Sequence, residues 1–209
     1  MYLFTRQVLV SPGHIRAGMA HALDMLKYIN EKTQLDASLF QVLQGAPVGT
    51  LTFAFRTESY AASVEANDGL VQSDEYLGKV EAGAAYYVGN PQDQLGEILH
   101  VAGEVSGPPA VASVISANLE VARASAAVAW SVDLANYTQN VTGQTTAVVS
   151  SNFGQYGRIS WIGYGSSLAD IESAGKKINT DPGFLQRLAD SEGLFVSGSG
   201  AGALSRKIG

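Results

Sequence analysis

Histidine and cysteine, which carry out acid–base and metal chemistry near neutral pH, are scarce in this sequence. The chain has three histidines, His14, His21 and His100, and no cysteine. His14 and His21 are seven residues apart on a predicted helix, and Tyr28 follows after seven more, so two turns, about 10.5 Å, separate neighbours. Histidines that share a metal ion on one helix are usually four residues apart. The spacing therefore predicts no metal site, and leaves His14 or His21 as a single haem ligand or base.

Arg6 is another candidate, because it lies inside a predicted strand. The run YLFTRQVLV, residues 2–10, is rich in β-branched and aromatic residues and ends at Ser11-Pro12-Gly13, which is typical of a strand followed by a turn. Charged side chains are seldom fully buried without a partner. An arginine in such a run therefore indicates either a solvent-facing position or a ligand site.

Composition excludes several classes of protein. With 46% hydrophobic and 15% charged residues, the chain has the balance of a globular protein. The absence of cysteine excludes disulfides, thiolate zinc sites and iron–sulfur clusters. A net charge of −6 without a Lys/Arg cluster argues against a nucleic-acid partner. No signal-like start and no apolar run of about 18 residues occurs, so a cytoplasmic protein without a membrane partner is expected.

The predicted elements occur in the same order in both halves. The first half has strands at 2–10, 38–45, 49–57 and 84–89, a helix at 14–33 and a helical region at 59–83, broken at 67–69. The second has strands at 110–118, 145–154, 156–165 and 194–200, a helix at 123–141 and a broken helical region at 168–191. This β-α-β-β-α-β order predicts an α+β fold with two tandem ferredoxin-like repeats, each an antiparallel sheet with helices on one face. The two bare faces can pack together as an α/β barrel.

Two short segments support the duplication. QSDEYLGKVEAG begins at Gln72 and NTDPGFLQRLADSEG begins at Asn179. In each, an aspartate precedes an aromatic–leucine pair, and a cation, Lys79 or Arg187, follows two residues later. Ser73 or Asp74 in one segment and Asp181 in the other predict a helix N-cap. The domains expected are repeat 1 at 1–90, a linker at 91–109, repeat 2 at 110–200 and a flexible tail at 201–209.

With its broken second helix and this short turn before the last strand, the sequence resembles the dimeric α/β-barrel superfamily. The resemblance covers almost the whole chain, as a tandem fusion. The superfamily includes antibiotic-biosynthesis monooxygenases, NIPSNAP-like proteins, haem-degrading monooxygenases and chlorite dismutases. A barrel closed within one chain and a homodimer of paired halves both fit the pattern.

The resemblance also implies site residues. Cofactor-free oxygenases of this fold hold a phenol-like substrate in an apolar pocket and stabilise its oxyanion with Asn, Trp, Tyr or Arg. The matching candidates here are Arg6, Trp161 and Tyr164, with Asn118 second. Haem-degrading members use an Asn on the first strand, a Trp on the third and a His on the second helix. Asn118 and Trp161 match two of these positions, but the second half of the chain has no histidine.

Three functions follow as hypotheses. The first is a small-molecule enzyme, a cofactor-independent monooxygenase that acts on an aromatic or polyketide-like substrate. The second is a non-catalytic barrel of the NIPSNAP-like kind that binds a small hydrophobic ligand or a protein. The third is a haem-binding protein that uses His14 or His21.

Overall fold

The computed structural model describes residues 1–209. Contacts divide the chain into two units, Met1–Leu95 with Lys207–Gly209, and Gly96–Arg206. Eight strands and six α-helices follow one another, with the order of the first seven elements repeated in the last seven. The predicted α+β class is therefore confirmed. None of the helices combines the length and the apolar character needed to cross a membrane.

The first unit packs three helices against an antiparallel sheet. Its elements are β1 (Tyr2–Val10), α1 (Ile15–Lys32), β2 (Ser38–Gln44), β3 (Thr50–Thr57), α2 (Tyr60–Val71), α3 (Asp74–Gly83) and the first part of β4 (Tyr87–Ala102). β3 pairs with both β1 and β2, so that Phe53 lies opposite Arg6 on one side and Leu39 on the other. The core joins Leu39 and Leu51 of the sheet to Ala22 and Leu26 of α1. The apolar positions that predicted α1 are thus the ones that face the sheet.

The second unit repeats this arrangement. Its elements are the rest of β4, then β5 (Val111–Asn118), α4 (Ala124–Thr142), β6 (Thr146–Phe153), β7 (Arg158–Gly165), α5 (Leu168–Asn179), α6 (Pro182–Asp190) and β8 (Ala201–Lys207). β7 pairs with both β5 and β6. Its core joins Val148 and Ile159 of the sheet to Ala135 of α4.

Strands β4 and β8 have residues in both units. The hydrogen-bonded strand order is β1-β3-β2-β8-β5-β7-β6-β4, and this order is closed. The sequence predicts antiparallel sheets that pack as an α/β barrel, and the structure adds the order of the strands, all eight of which come from this one chain.

The predicted linker at 91–109 differs from the structure, because β4 continues to Ala102. The segment ends in the residues SGPP, 106–109, which are typical of a connector. Gly96 is required for close packing, since a Cβ there would lie 2.7 Å from Val149 Cγ1 and 2.8 Å from the Ser150 carbonyl oxygen. Glycine in a strand often marks such a close approach of two backbones.

The end of the chain also differs from its prediction. Residues 194–200 were expected as the last strand and 201–209 as a flexible tail, but the strand is β8, Ala201–Lys207. Phe195 makes only a single bridge, to Leu119. The run AGALSRK has little strand propensity of its own, so its pairing with β5, in which Ala203 lies opposite Val114, decides its conformation.

The break in the first broken helical region lies at Gln72 and Ser73, a few residues after the predicted 67–69. Asp68 and Gly69 are inside α2, and the helix ends at Val71. Ser73 then caps α3 by accepting a hydrogen bond from the Tyr76 main-chain N–H at 3.3 Å. The cap therefore positions the break, and the predicted role of Ser73 is confirmed.

Candidate functional site

Arg6 lies on the face of the first sheet that carries the helices. It is opposite Phe53, and Phe53 packs against both apolar clusters that involve α1. Directly opposed residues of an antiparallel pair point to the same side of the sheet. The strand arginine therefore lies between the sheet and its helices, where its side chain is 32% exposed.

Asp93 of β4 holds the guanidinium of Arg6 in a fixed orientation. Nε of Arg6 donates to Asp93 Oδ1 and Nη2 donates to Oδ2, both at 2.7 Å. This bidentate geometry raises the pKa of Arg6, mainly because the guanidinium donates hydrogen bonds to Asp93, and against the opposing effect of burial. Asp93 occupies two of the five N–H donors of the group. The arrangement holds a planar cation in place and leaves part of it for a ligand.

Aromatic side chains surround this cation. The Phe4 ring centre is 5.8 Å from the Arg6 Cζ atom, and Phe4 stacks on Phe55 with centroids 4.7 Å apart. Tyr76 of α3 is buried, and its hydroxyl contributes to the raised pKa of Arg6. Phe4 and Phe55 are only half-buried. A half-open aromatic wall beside a fixed guanidinium suits a flat ligand that carries negative charge on oxygen.

Trp161 occupies the place in the second unit that Phe53 occupies in the first. It is the fourth residue of β7, as Phe53 is the fourth of β3. Its indole N–H donates to the main-chain oxygen of Ser131 on α4 at 3.3 Å. Its ring also makes edge contacts with Trp130 at 5.9 Å and Phe195 at 5.6 Å. These contacts are those of a side chain that joins helix to sheet.

Tyr164 and Asn118 point to the other side of the second sheet. Tyr164 is three residues from Trp161 on one strand, and strand side chains alternate between the two faces. Asn118 of β5 lies opposite Arg158 of β7. Arg158 and Tyr164 are six residues apart on β7, so Asn118 lies on the same face as Tyr164. The main-chain N–H of Asn118 donates to Ser199 Oγ at 3.0 Å. Within this unit the structure thus separates Trp161 from the other two predicted site residues, and Arg6 belongs to the first unit.

His21 is fully engaged inside the first unit. Its Nε2 lies 2.9 Å from the Lys79 main-chain oxygen and its Nδ1 lies 2.8 Å from the Tyr87 hydroxyl. Because a carbonyl oxygen only accepts hydrogen bonds, Nε2 carries a proton. Burial raises the pKa of Tyr87 to about 12. His21 therefore joins α1 to the end of α3 and to β4.

Two of the three histidines have ring nitrogens in hydrogen bonds, and the third is exposed. Both ring nitrogens of His21 have partners, and a Cβ at Gly83 would lie closer than 3.0 Å to three atoms of its ring. His14 is exposed in the turn before α1, and His100 contacts Asn136 Oδ1 at 2.7 Å. No group of three or more His, Asp or Glu residues in the chain could hold a metal ion.

The repeated turn motif has a structural explanation in the first unit. Lys79, its cation, contacts Asp24 of α1 at 2.6 Å. Its Nζ is also 5.5 Å from the centre of the Tyr28 ring. The Tyr28 hydroxyl lies 2.9 Å from Ser73 Oγ, the cap of α3. The motif thus fixes α3 to α1 at three points.

The second unit repeats these contacts with different residues. Arg187 contacts Asp133 of α4 at 2.7 Å, and its Cζ lies 3.9 Å from the centre of the Tyr137 ring. The Tyr137 hydroxyl donates to Asp181 Oδ1, the cap of α6, at 2.7 Å. That hydrogen bond is the first cause of the lowered pKa of Asp181. The sequence predicted the motif but not its partners on the first helix of each repeat. These partners are an aspartate and a tyrosine at the same spacing on α1 and on α4, so an alignment of the two helices would have found them.

Comparison with known proteins supports the fold. No family model matches the sequence, and no curated protein matches it. A proposed monooxygenase from Fusobacterium nucleatum subsp. nucleatum is 7% identical with a TM-score of 0.71, over 100% of this chain and 92% of that one. An anthrone oxidase-like protein is 10% identical with a TM-score of 0.66, over 100% and 91%. The haem-degrading enzyme of Listeria monocytogenes is 8% identical with a TM-score of 0.56, over 100% of both chains.

The class of protein follows from the strand order and these likenesses together. The chain has a ferredoxin-like α/β-barrel fold, which it shares with these solved structures. Proteins on one fold can differ in chemistry, and identities this low show the fold alone. Function therefore has to be argued from the residues of the site.

Proposed function

We propose that this protein is a small-molecule enzyme of the monooxygenase type, which oxidises an aromatic or polyketide-like substrate without a metal or an organic cofactor. The observation that carries the proposal is Arg6, a guanidinium held by Asp93 at 2.7 Å on the helix-facing side of the sheet. Phe4, Phe55 and Tyr76 border it. This is the one strand arginine with both a fixed orientation and an aromatic wall.

The chemistry needs an acidic C–H bond and a stabilised oxyanion. A methylene between an aromatic ring and a conjugated carbonyl loses a proton, and the negative charge moves to the carbonyl oxygen. A fixed cation beside that oxygen lowers the energy of the anion. The carbanion then supplies electrons to O₂ and a C–O bond forms. One oxygen atom stays as a new carbonyl and the other leaves in water, so that CH₂ and O₂ give C=O and H₂O.

Oxygen consumption with an anthrone as substrate tests this proposal. Removal of one donor to an oxyanion lowers kcat about 100-fold or more, so Arg6→Gln is expected to lose activity to that extent. Arg56→Gln is the matched control, because Arg56 is an exposed arginine of β3. Absence of oxygen consumption by the unmodified protein, or an active Arg6→Gln variant, would contradict the proposal.

Trp161, Tyr164 and Asn118 stay predictions as site residues. Variants of each, Trp161→Phe, Tyr164→Phe and Asn118→Ala, belong in the same assay. A rate that falls more than the loss of folded protein explains would place that residue in the site. Homodimer formation is likewise a prediction, which the mass of the native protein tests.

The second candidate function is a non-catalytic protein that binds an aromatic ligand. Two observations favour this function. Arg6 already donates hydrogen bonds to Asp93, and the Trp161 indole N–H already donates to the Ser131 carbonyl oxygen. Both groups thus have partners in the protein and are less available to a reacting oxyanion. Saturable quenching of intrinsic fluorescence by anthrone without oxygen consumption would support this function. Oxygen consumption that requires Arg6 would exclude it.

A further inference from the structure

Four polar side chains share one face of the second sheet. Asn118 lies opposite Arg158, and Ser116 lies opposite Ser160. Because side chains alternate along a strand, all four point to the same side. Ile159, between the two residues of β7, packs towards Ala135 of α4. The four polar side chains are therefore on the face without helices.

Arg158 carries the only charge in this group, and no carboxylate neutralises it. Its Nη2 donates to Ser116 Oγ at 2.6 Å, and its Nη1 donates to Gln155 Oε1. Both partners are neutral, and none of the six ion pairs in the structure includes Arg158. Arg158 is half-buried and Ser116 is buried. A cation in such surroundings usually has an anionic partner.

The fold itself does not require this arginine. Arg158 is the first residue of β7, and the first residue of β3 in the other repeat is Thr50. Thr50 donates its hydroxyl hydrogen to the Pro47 carbonyl oxygen at 2.7 Å, so a neutral residue closes the same turn. The polar face also extends to β6, where Ser151 is buried. It lies two residues after Val149, which is opposite Ser160.

We propose that this face binds an oxyanion group, the carboxylate or phosphate of a small ligand, with Arg158 as its charged partner. A planar guanidinium matches the geometry of both groups through paired N–H donors. The hydroxyls of Ser116 and Ser160 and the amide of Asn118 add neutral donors on the same face. The proposal does not rest on the proposed oxidation, because Arg158 lies in the other repeat from Arg6 and no reaction is involved; Asn118 is the one residue that belongs to both predictions.

Thermal unfolding in the presence of inorganic phosphate or acetate tests the site, with ionic strength and pH held constant by sodium chloride and buffer. A ligand that binds only the folded state raises the Tm in a saturable way. We expect such a rise for the unmodified protein and for Arg56→Gln, an exposed-arginine control. Arg158→Gln should lose the rise. Comparison of phosphate with acetate shows which oxyanion the site prefers.

A direct measurement covers the case in which Arg158→Gln does not fold. The side-chain N–H resonances of arginine, followed by NMR during the same titration, should shift for one arginine, identified by its absence in Arg158→Lys. Lack of a saturable Tm rise in the unmodified protein would overturn the proposal. A rise that survives in Arg158→Gln, or a shift at a different arginine, would overturn it as well.

Discussion

His21 and Trp130 occupy equivalent positions, each the seventh residue of the first helix of its repeat. Each places a ring nitrogen 2.9 Å from the main-chain oxygen of the cation in the repeated turn, Lys79 in one case and Arg187 in the other. Trp130 also contacts Phe195 edge-on at 5.3 Å, as His21 contacts Tyr87 at 5.6 Å. The two repeats thus keep one hydrogen bond while exchanging a polar ring pair for an apolar one.

Gly83 is expected to be essential for the packing of His21. A Cβ at Gly83 would lie closer than 3.0 Å to three atoms of the His21 ring. Gly83→Ala should therefore lower the free energy of unfolding by about 1–3 kcal/mol, the usual cost of overpacking. Chemical denaturation measures this change.

Gly78→Ala is the matched control in the same helix, since nothing lies within 4 Å of its Cβ position. It should raise the free energy of unfolding by about 1 kcal/mol through helix propensity. Equal effects of the two substitutions would show that the His21 ring is not held against α3.

Tyr87 is expected to make the stability of the protein depend on alkaline pH. Burial raises its pKa from 10.0 to about 12 in the folded state, so the folded protein holds this proton more tightly than the unfolded chain does. The resulting stabilisation is complete below pH 10 and is lost as the pH rises towards 12. Urea unfolding of the protein and of Tyr87→Phe at pH 9 and pH 11 measures it.

The stability difference between the protein and Tyr87→Phe should be smaller at pH 11 than at pH 9. Phe195 stands where Tyr87 stands in the other repeat, so the variant should fold. A difference that stays constant over this interval would contradict the assigned burial of the hydroxyl.

Trp161→Phe should lower the free energy of unfolding by about 1 kcal/mol, the typical worth of a lost hydrogen bond. The bond concerned joins the indole N–H to Ser131 at 3.3 Å. Phe53 at the equivalent strand position shows that the architecture accepts a phenyl ring. Urea unfolding gives the stability, and the anthrone assay gives the rate. An unchanged rate in folded variant protein would remove Trp161 from the site.

Haem should not bind through His21, because both of its ring nitrogens already have partners. Any Soret band that forms on addition of haem to the purified protein is therefore expected not to depend on His21. His21→Ala should not alter the spectrum of the mixture. A stoichiometric band that disappears in this variant would show that the His21 network opens to accept an iron ligand.

Elements whose signals are local could be predicted from the sequence. Apolar spacing predicted α1, which buries Ala22 and Leu26 on the sheet. Asp181 followed by Pro182 predicted the start of α6, where Asp181 accepts a hydrogen bond from Phe184 N–H at 2.8 Å. The duplicated turn predicted the tandem order. Such signals are readable because caps and periodicity depend on residues within a few positions of one another.

Features that depend on residues far apart in sequence are visible in the fold alone. β8 is a strand because β5 offers it a partner, although its own residues have weak strand propensity. Arg6 acquired its orientation from Asp93, 87 residues away. Alternation along β7 already places Trp161 and Tyr164 on opposite faces, but only packing against α4 shows that the face of Trp161 is the one that carries the helices. The physical reason is that pairing and packing set these features, and neither leaves a signal within a short window of sequence.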